Sequence, residues 1–363
     1  MIQSGRESKR NLAIAFSNRC SLLNDKKEYD RALADCNQAV QIDPKFARSY
    51  LNRGIAYRGK GDNDRAIEEY DEAIRLDPKH AATFNYRGIA HRAKGDTDRA
   101  IADYTTAIRL DPKDATAFYN RAIAYRAKGD TDRAITDYTE AIRLDPKYAA
   151  AFNNRGVAYR SKGDNDRALS DYNEAIRLNP SYAFAHNNRG LVYAGKKDYD
   201  RAIADYSDAI RFDPKYATAL ANRGDAYLDK KNFDRAIADY TEAVALQPGD
   251  ATLLNKRCWG RTVAGRDLAQ ALADCNESLR LRPNSAGVLD SRGFVHLRLG
   301  EIDKALADYD AALKLDPKQA SSLYGRGLAK RKKGDKAGAD SDIAAAKAID
   351  ADVASDFAGY EAK

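Results

Sequence analysis

Four cysteines form two pairs with nearly equal spacing, Cys20 with Cys36 and Cys258 with Cys275. A disulfide that closes a loop of roughly 17 residues stabilises a fold by about 3 kcal/mol in the chain-entropy model. Disulfides here would place the protein in an extracytoplasmic compartment, periplasmic or secreted. The alternative is four buried thiols acting as small apolar side chains in a cytoplasmic protein. No histidine accompanies either pair, so we expect no metal site.

Arginines and carboxylates recur with a common period. Because an unpaired buried charge costs several kcal/mol, the two series predict ion pairs between facing helices. The alternative is an arginine track for phosphate or nucleic acid, against which the accompanying carboxylates argue. The arginines are Arg19, Arg53, Arg87, Arg121, Arg155, Arg189, Arg223, Arg257, Arg292 and Arg326. The acids are Asp35, Glu69, Asp103, Asp137, Asp171, Asp205, Asp239, Asp274, Asp308 and Asp342.

Asparagines next to these arginines form a third series. An amide both donates and accepts, so a row of amides could pair the backbone of an extended peptide without reading its side chains. Alternatively, the amides only solvate this face or bond to neighbouring helices. The candidate groove residues of this series are Asn52, Asn85, Tyr86, Asn120, Asn153, Asn154, Asn187, Asn188 and Asn222.

The sequence offers little for catalysis. The four histidines, His80, His91, His186 and His296, are scattered along the chain. No glycine-rich phosphate loop, nucleophile elbow or HExxH motif is present. We therefore expect a non-enzymatic protein with no catalytic residues, no cofactor and no small-molecule substrate.

All these residues belong to a repeat. Prolines recur every 34 residues from Pro44 to Pro248, and only the step to Pro283 is 35, which indicates one inserted residue. A fixed period of this length is typical of solenoids. The ten repeats are predicted at 13–46, 47–80, 81–114, 115–148, 149–182, 183–216, 217–250, 251–285, 286–319 and 320–353.

Each repeat predicts two helices. In the second repeat, Gly61 and Asp62 break the helical pattern as a C-cap and an N-cap. The next helix ends at Asp77-Pro78, because proline cannot continue a helix. The predicted fold is therefore all-α, an α-solenoid of antiparallel helix pairs without strands. No apolar run is long enough to span a bilayer.

The fifth repeat shows the pattern best, with Phe152, Gly156, Tyr159, Ala168, Tyr172, Ala175 and Pro180. This pattern resembles the tetratricopeptide repeat, over nearly the whole chain. The resemblance implies a right-handed superhelix whose first helices line a concave, peptide-binding groove. It also implies that Gly156 and Ala168 allow close helix approach. Arginine stands at the seventh place of each repeat, where the family usually has leucine.

The expected partner is a protein or extended peptide. The ninth place of the repeat is mostly apolar, and arginine at the twelfth place favours an acidic ligand. These groove arginines are Arg58, Arg92, Arg126 and Arg160. Self-association of the array and polyanion binding through inner arginines are the alternatives.

Short segments flank the repeats. Residues 1–12 lack the apolar centre of a signal peptide and are assigned to a lead-in segment. Residues 354–363 follow a last repeat that loses its pattern, and we expect them to form a cap. Phe357 and Tyr360 would cover the exposed seam of the tenth repeat.

Overall fold

The structure, a computed structural model, describes residues 2–358, with the side chains of residues 2–8 and 356 left out. Within these residues it contains helices and turns but no strand. The chain divides after Pro180 into two compact halves. The N-terminal half contains α1 Ile2–Asp25, α2 Tyr29–Ile42, α3 Ala47–Gly59, α4 Asn63–Leu76, α5 Ala81–Ala93, α6 Thr97–Leu110, α7 Ala115–Ala127, α8 Thr131–Leu144, α9 Ala149–Ser161 and α10 Asn165–Leu178.

The C-terminal half also has five helix pairs, followed by a short 3-10 helix over Val353–Phe357. The pairs confirm the all-α prediction, and α1 continues through most of the expected lead-in segment. The helices are α11 Ala183–Gly195, α12 Tyr199–Phe212, α13 Ala217–Asp229, α14 Phe233–Leu246, α15 Ala251–Ala264, α16 Leu268–Leu281, α17 Ala286–Arg298, α18 Ile302–Leu315, α19 Ala320–Lys333 and α20 Lys336–Ile349.

The turn inside each repeat explains where one helix ends and the next begins. In the fifth repeat Gly163 has φ +80°, a conformation that costs glycine little. The Asp164 carboxylate then accepts a 3.1 Å hydrogen bond from the backbone N–H of Arg167 and caps α10. The eighth repeat accommodates its extra residue in the same turn, where Gly265 and Asp267 have φ of 70° and 51°.

Tight contact between paired helices explains the glycine and tyrosine of the pattern. A Cβ atom on Gly156 would lie only 2.7 Å from the Tyr172 ring, so a larger residue would push α9 away from α10. The Tyr172, Ala168 and Ala175 side chains are fully buried in the resulting seam. The core is therefore a thin layer repeated along each half, as a solenoid requires.

Disulfides replace the glycine–tyrosine contact in two repeats. Cys20 and Cys36 are bonded between α1 and α2 with a Cα–Cα distance of 5.6 Å. Cys258 and Cys275 are bonded between α15 and α16 at 5.7 Å. All four side chains are completely buried, and the predicted pairing is confirmed.

Ion pairs also join consecutive repeats. A lysine at the end of a first helix reaches an aspartate at the start of the preceding second helix. Both side chains are substantially exposed, so each pair contributes little to stability. The pairs are Lys60–Asp30, Lys94–Asp64, Lys128–Asp98, Lys162–Asp132, Lys230–Asp200 and Lys333–Asp303.

The segment after α20 turns back onto its own half. Phe357 is fully buried, with its ring centroid 4.6 Å from that of Phe294 on α17 and 5.1 Å from that of Tyr324 on α19. The sequence predicts a cap over the last repeat, and Phe357 packs in one cluster with Tyr324, Leu328 and Ala346 of that repeat as well as with Phe294. Tyr360 lies outside the described residues.

Candidate functional site

The arginine and carboxylate series meet within each repeat. In the fifth repeat, Arg155 donates from Nε and Nη2 to the two carboxylate oxygens of Asp171, at 2.9 and 2.8 Å. The pairing prediction is confirmed throughout. The pairs are Arg19–Asp35, Arg53–Glu69, Arg87–Asp103, Arg121–Asp137, Arg155–Asp171, Arg189–Asp205, Arg223–Asp239, Arg257–Asp274, Arg292–Asp308 and Arg326–Asp342.

Most of these ion pairs are buried between the two helices of a repeat and therefore contribute to helix packing. The Arg155 and Asp171 side chains are only 16% and 6% exposed. Burial raises the pKa of Asp171, and the hydrogen bonds from Arg155 oppose that shift. In the third repeat, the bond to Asp103 raises the pKa of Arg87. Because these guanidinium groups are occupied by carboxylates, the series does not present a free polyanion track.

The asparagines of the second, third and fourth repeats bond across helices. Asn52 is almost fully buried and donates to the hydroxyl and the carbonyl oxygen of Ser17, both at 3.0 Å. Asn120 donates at 3.0 Å to the amide oxygen of Asn85, which lies on the preceding first helix. These contacts join α1 to α3 and α5 to α7. They fit the interpretation in which the amides bond to neighbouring helices.

Later members of the series behave similarly. Asn154 donates to the Tyr119 hydroxyl at 2.9 Å, and Asn153 donates to the amide oxygen of Asn154 at 3.1 Å. In the C-terminal half, Asn222 donates to the amide oxygen of Asn187 at 2.9 Å. Asn188 is half-buried. Nothing in this geometry tests whether the same amides also bind a peptide, which stays a prediction.

A different series is left without carboxylate partners. Arg58, Arg92, Arg126 and Arg160 occupy the twelfth place of the second to fifth repeats. None of them lies within ion-pair distance of an acidic group among residues 9–355. Arg126 is exposed, and the other three are half-buried. These four residues, here called the arginine row, are the unpaired charges of the first-helix face.

Tyrosine hydroxyls lie beside the arginine row. Burial raises the pKa of Tyr172 to about 12, and the nearby positive charge of Arg160 opposes the shift. Buried polar groups almost always have hydrogen-bond partners, so orphaned ones suggest missing ligands or water. Orphaned here are the hydroxyls of Tyr70, Tyr104, Tyr138 and Tyr172 and the Nε–H groups of Arg58, Arg92 and Arg160.

A pocket of about 720 Å³ lies between α3 and α5, and its lining residue Tyr86 is next to Arg58. Its lining combines the apolar Leu51 and Ile55 with Arg48, His80 and Tyr86. The guanidinium carbon of Arg58 lies 5.9 Å from the centre of the Tyr86 ring. The pocket lining therefore combines positive charge, the carboxylate of Asp77, aromatic surface and aliphatic surface. Tyr86 was part of the predicted groove.

The C-terminal half lacks an equivalent row. Its twelfth places hold Ala194, Leu228, Thr262, Leu297 and Arg331, and Arg331 pairs with Asp340 at 2.9 Å. At the ninth place of the seventh repeat, Asp225 accepts hydrogen bonds from Tyr240 Oη at 2.8 Å and from Lys256 Nζ at 2.5 Å. The arginine row is thus a property of the N-terminal half.

The sequence showed the arginines of this row but not their tyrosine neighbours. The seam tyrosines were interpreted as packing residues, and their rings do pack. Only the structure shows that the buried hydroxyl ends lie beside the arginine row. The available sequence signal was that arginine at the twelfth place and tyrosine at the twenty-fourth place recur together in the second to fifth repeats. In residues 9–355 and 357–358 no cluster of three histidine, cysteine or acidic side chains could hold a metal ion.

The described part of the chain has no helix with the length and apolar character of a membrane span. The fold defines the class of the protein, a tandem array of antiparallel helix pairs. The tetratricopeptide repeat family model matches residues 51–115, 87–149, 119–183, 153–217 and 187–251. A second TPR repeat model matches residues 21–59 and 295–334. The chain belongs to the tetratricopeptide repeat family.

The chain is also similar to solved structures. MamA is 30% identical, with 46% of this chain and 96% of MamA aligned at a TM-score of 0.42. The APC/C hetero-tetramer Cut9-Hcn1 is 21% identical, with 76% of this chain and 54% of that chain aligned at a TM-score of 0.59. YrrB, described as a TPR protein with an unusual peptide-binding site, is 26% identical, with 50% and 94% aligned at 0.41. No curated protein sequence matches significantly.

Proposed function

We propose that this protein is a non-enzymatic scaffold whose N-terminal half binds an extended, acidic segment of a protein partner. The observation that carries the proposal is the arginine row. Four cationic side chains recur one repeat apart on the first-helix face, with no carboxylate within ion-pair distance among residues 9–355. The paired arginines at the seventh place serve as an internal contrast, because the same array provides acids where it needs them.

The chemistry of the row suits carboxylates. An arginine can donate two parallel hydrogen bonds to one carboxylate, in a geometry stronger than a neutral hydrogen bond. The hydroxyls of Tyr104 and Tyr172 are buried beside Arg92 and Arg160, where a bridging water would satisfy them. A ligand with acidic side chains at intervals would therefore supply several missing partners at once.

The asparagines would provide the contacts to the ligand backbone. Asn120 and Asn154 each use an amide hydrogen to hold a neighbouring helix. The amide groups left over by these bonds would pair with the peptide backbone of the ligand. This arrangement combines both interpretations of the series, since each amide positions a helix and also faces the groove.

A charge-matched comparison tests the arginine row. The groove variant R58Q/R92Q/R126Q/R160Q is compared with R75Q/R109Q/R143Q/R177Q, which removes four arginines from the exposed second helices. The probe is a fluorescent peptide alternating glutamate and valine, followed by anisotropy. We expect the groove variant to weaken binding at least about tenfold and to flatten the salt dependence. The control variant should change affinity less than about threefold.

Equal losses in both variants would mean that only net charge matters, and the proposal would fail. A matched lysine–valine peptide should not bind the wild type. If a single-stranded oligonucleotide competes as well as the acidic peptide, the site is a general polyanion site. Sedimentation of the unliganded chain over a range of concentrations separates both outcomes from self-association.

We also propose that the protein works in an oxidising, extracytoplasmic compartment. The two buried disulfides support this location, since such bonds are rare in the reducing cytosol. Thiol titration of unfolded protein, isolated from its native cell with thiols trapped at lysis, should find almost no free sulfhydryls. Four free thiols would contradict the proposed compartment.

A further inference from the structure

The C-terminal half has an aromatic pocket on its first helices. Phe294 on α17 and Tyr324 and Leu328 on α19 form one cluster of buried side chains. Trp259 on α15 lies at its edge, with its ring centroid 5.7 Å from that of Phe294. Trp259, Phe294 and Leu328 all occupy the ninth place of their repeats, which is mostly apolar along the chain. We call this cluster the aromatic pocket.

A segment of the same chain fills the aromatic pocket. Phe357 is 0% exposed and Val353 is 2% exposed, whereas Asp352 and Ser355 remain exposed to solvent. Phe357 contacts two first helices that belong to different repeats, so it does not occupy the place of an eleventh repeat. The chain reaches the pocket directly after α20 through a short 3-10 helix.

The segment is held mainly by its two apolar side chains. Its backbone N–H groups at Val353 and Ser355 donate to Asp350 and Asp352, which are close neighbours in the chain. These local bonds belong to the 3-10 helix itself and do not join it to α17 or α19.

We propose that the aromatic pocket is a binding site for partner peptides that carry an apolar residue and a phenylalanine four positions later. Val353 and Phe357 show the chemistry that fits, and they occupy the pocket in cis until such a partner displaces them. A tethered segment competes at an effective concentration of millimolar order. A partner peptide should therefore bind weakly to the intact chain and much more tightly once Phe357 is removed.

The test uses the full chain, the variant F357A and the peptide DADVASDFA, which copies residues 350–358. Trp259 is the only tryptophan in the chain and lies beside the pocket, so its emission reports occupancy. Anisotropy of the labelled peptide gives a second, independent readout. We expect F357A to bind the peptide at least about tenfold more tightly than the wild type. The control peptide DADVASDAA should not bind either protein.

Circular dichroism shows whether F357A keeps its helices. If it does not, F357L replaces it, because leucine keeps an apolar side chain in the pocket, and a smaller gain in the same direction is expected. No gain in peptide affinity in the folded variant, or equal binding of the control peptide, would show that Phe357 is only a structural cap. The groove variant R58Q/R92Q/R126Q/R160Q should bind DADVASDFA as the wild type does, so this test is independent of the acidic-ligand proposal.

Discussion

At the scale of single residues, arginine has two roles in the second to fifth repeats, and its place in the repeat separates them. At the seventh place it is bonded to a carboxylate of its own repeat, as Arg155 is to Asp171. At the twelfth place, as in Arg160, it has no acidic partner among residues 9–355. The first role maintains the packing of two helices, and the second leaves a charge for a ligand.

The buried pair predicts strong coupling between its two members. R155L or D171L alone should each lower the free energy of unfolding by about 3 kcal/mol, because each leaves an unpaired buried charge. The double variant R155L/D171L should be far less destabilised than the sum of the two. Urea unfolding of the four proteins gives the coupling energy.

The exposed pair of Glu174 and Arg177 on α10 is the control for this cycle. Its two members should couple by less than about 1 kcal/mol. Additive effects at Arg155 and Asp171 would mean that the ion pair has no structural role.

At the scale of helices, most repeats share one solution to helix capping and one to helix contact. Asp62, Asp130, Asp164 and Asp198 all accept a hydrogen bond from the backbone N–H three residues ahead. Asn232 does the same at 3.3 Å in the seventh repeat. Because asparagine caps α14 in the same way, replacing a capping aspartate by asparagine should remove its charge and keep the capping hydrogen bond.

The capping aspartates predict how stability depends on acid. Hydrogen bonds to Arg65, Arg133, Arg167 and Arg201 lower the pKa of these four carboxyl groups below 3.8. Their stabilisation is thus complete above the unfolded-state value and is lost as the pH falls through the lowered folded-state values. The variant D62N/D130N/D164N/D198N should lose less stability between neutral pH and about pH 3 than the wild type. Thermal melts at both pH values measure the difference, and an unchanged acid loss would contradict the assignment.

The equivalence of the disulfide and the glycine–tyrosine contact predicts that one can replace the other in the first repeat. C20S/C36S should lower the free energy of unfolding by about 3 kcal/mol, as expected for a loop of this length. The variant C20G/C36Y, which restores the glycine and tyrosine used by the fifth repeat, should recover much of that loss. It should also become insensitive to a reducing agent at this site. Melts with and without reductant decide, and a C20G/C36Y variant no better than C20S/C36S would contradict equivalence of the two contacts.

At the scale of the whole molecule, each half is a complete set of five helix pairs with its own surface chemistry. The N-terminal half has the arginine row, and the C-terminal half has the aromatic pocket. Solenoid stability is a sum of repeats and neighbouring interfaces, so a set of this size has the core it needs. The two proposed sites should therefore be separable.

Expressed separately, residues 1–180 and 181–363 should each show helical circular dichroism. The first fragment should keep the affinity of the full chain for the acidic peptide within about threefold, because the arginine row lies within it. The second should not bind that peptide but should keep the Trp259 emission of the full chain. Loss of helix in either fragment would show that the halves depend on each other for folding.

Much of this molecule follows from the repeat in its sequence. The period predicted the helix pairs, and the matching series predicted that Arg155 meets Asp171. The contact of the Asn120 amide could not be predicted from the sequence, because an asparagine facing a groove and one bonding a neighbouring helix have the same position and polarity. Phe357 lies beyond the last repeat, where the period no longer predicts its contacts. Its place against Phe294 depends on tertiary packing that no local pattern encodes.

The equal spacing of contacts has a consequence for how the gene can change. The bond from Lys128 to Asp98 spans 30 residues and that from Arg155 to Asp171 spans 16. Deleting or duplicating one 34-residue block preserves both, so unequal crossover can shorten or lengthen the protein without unpairing a charge. The eighth repeat is different, because its pair spans 17 residues and its seam is a disulfide. A crossover inside it would join Cys258 to a tyrosine and leave a lone thiol, so viable recombination should fall at its borders.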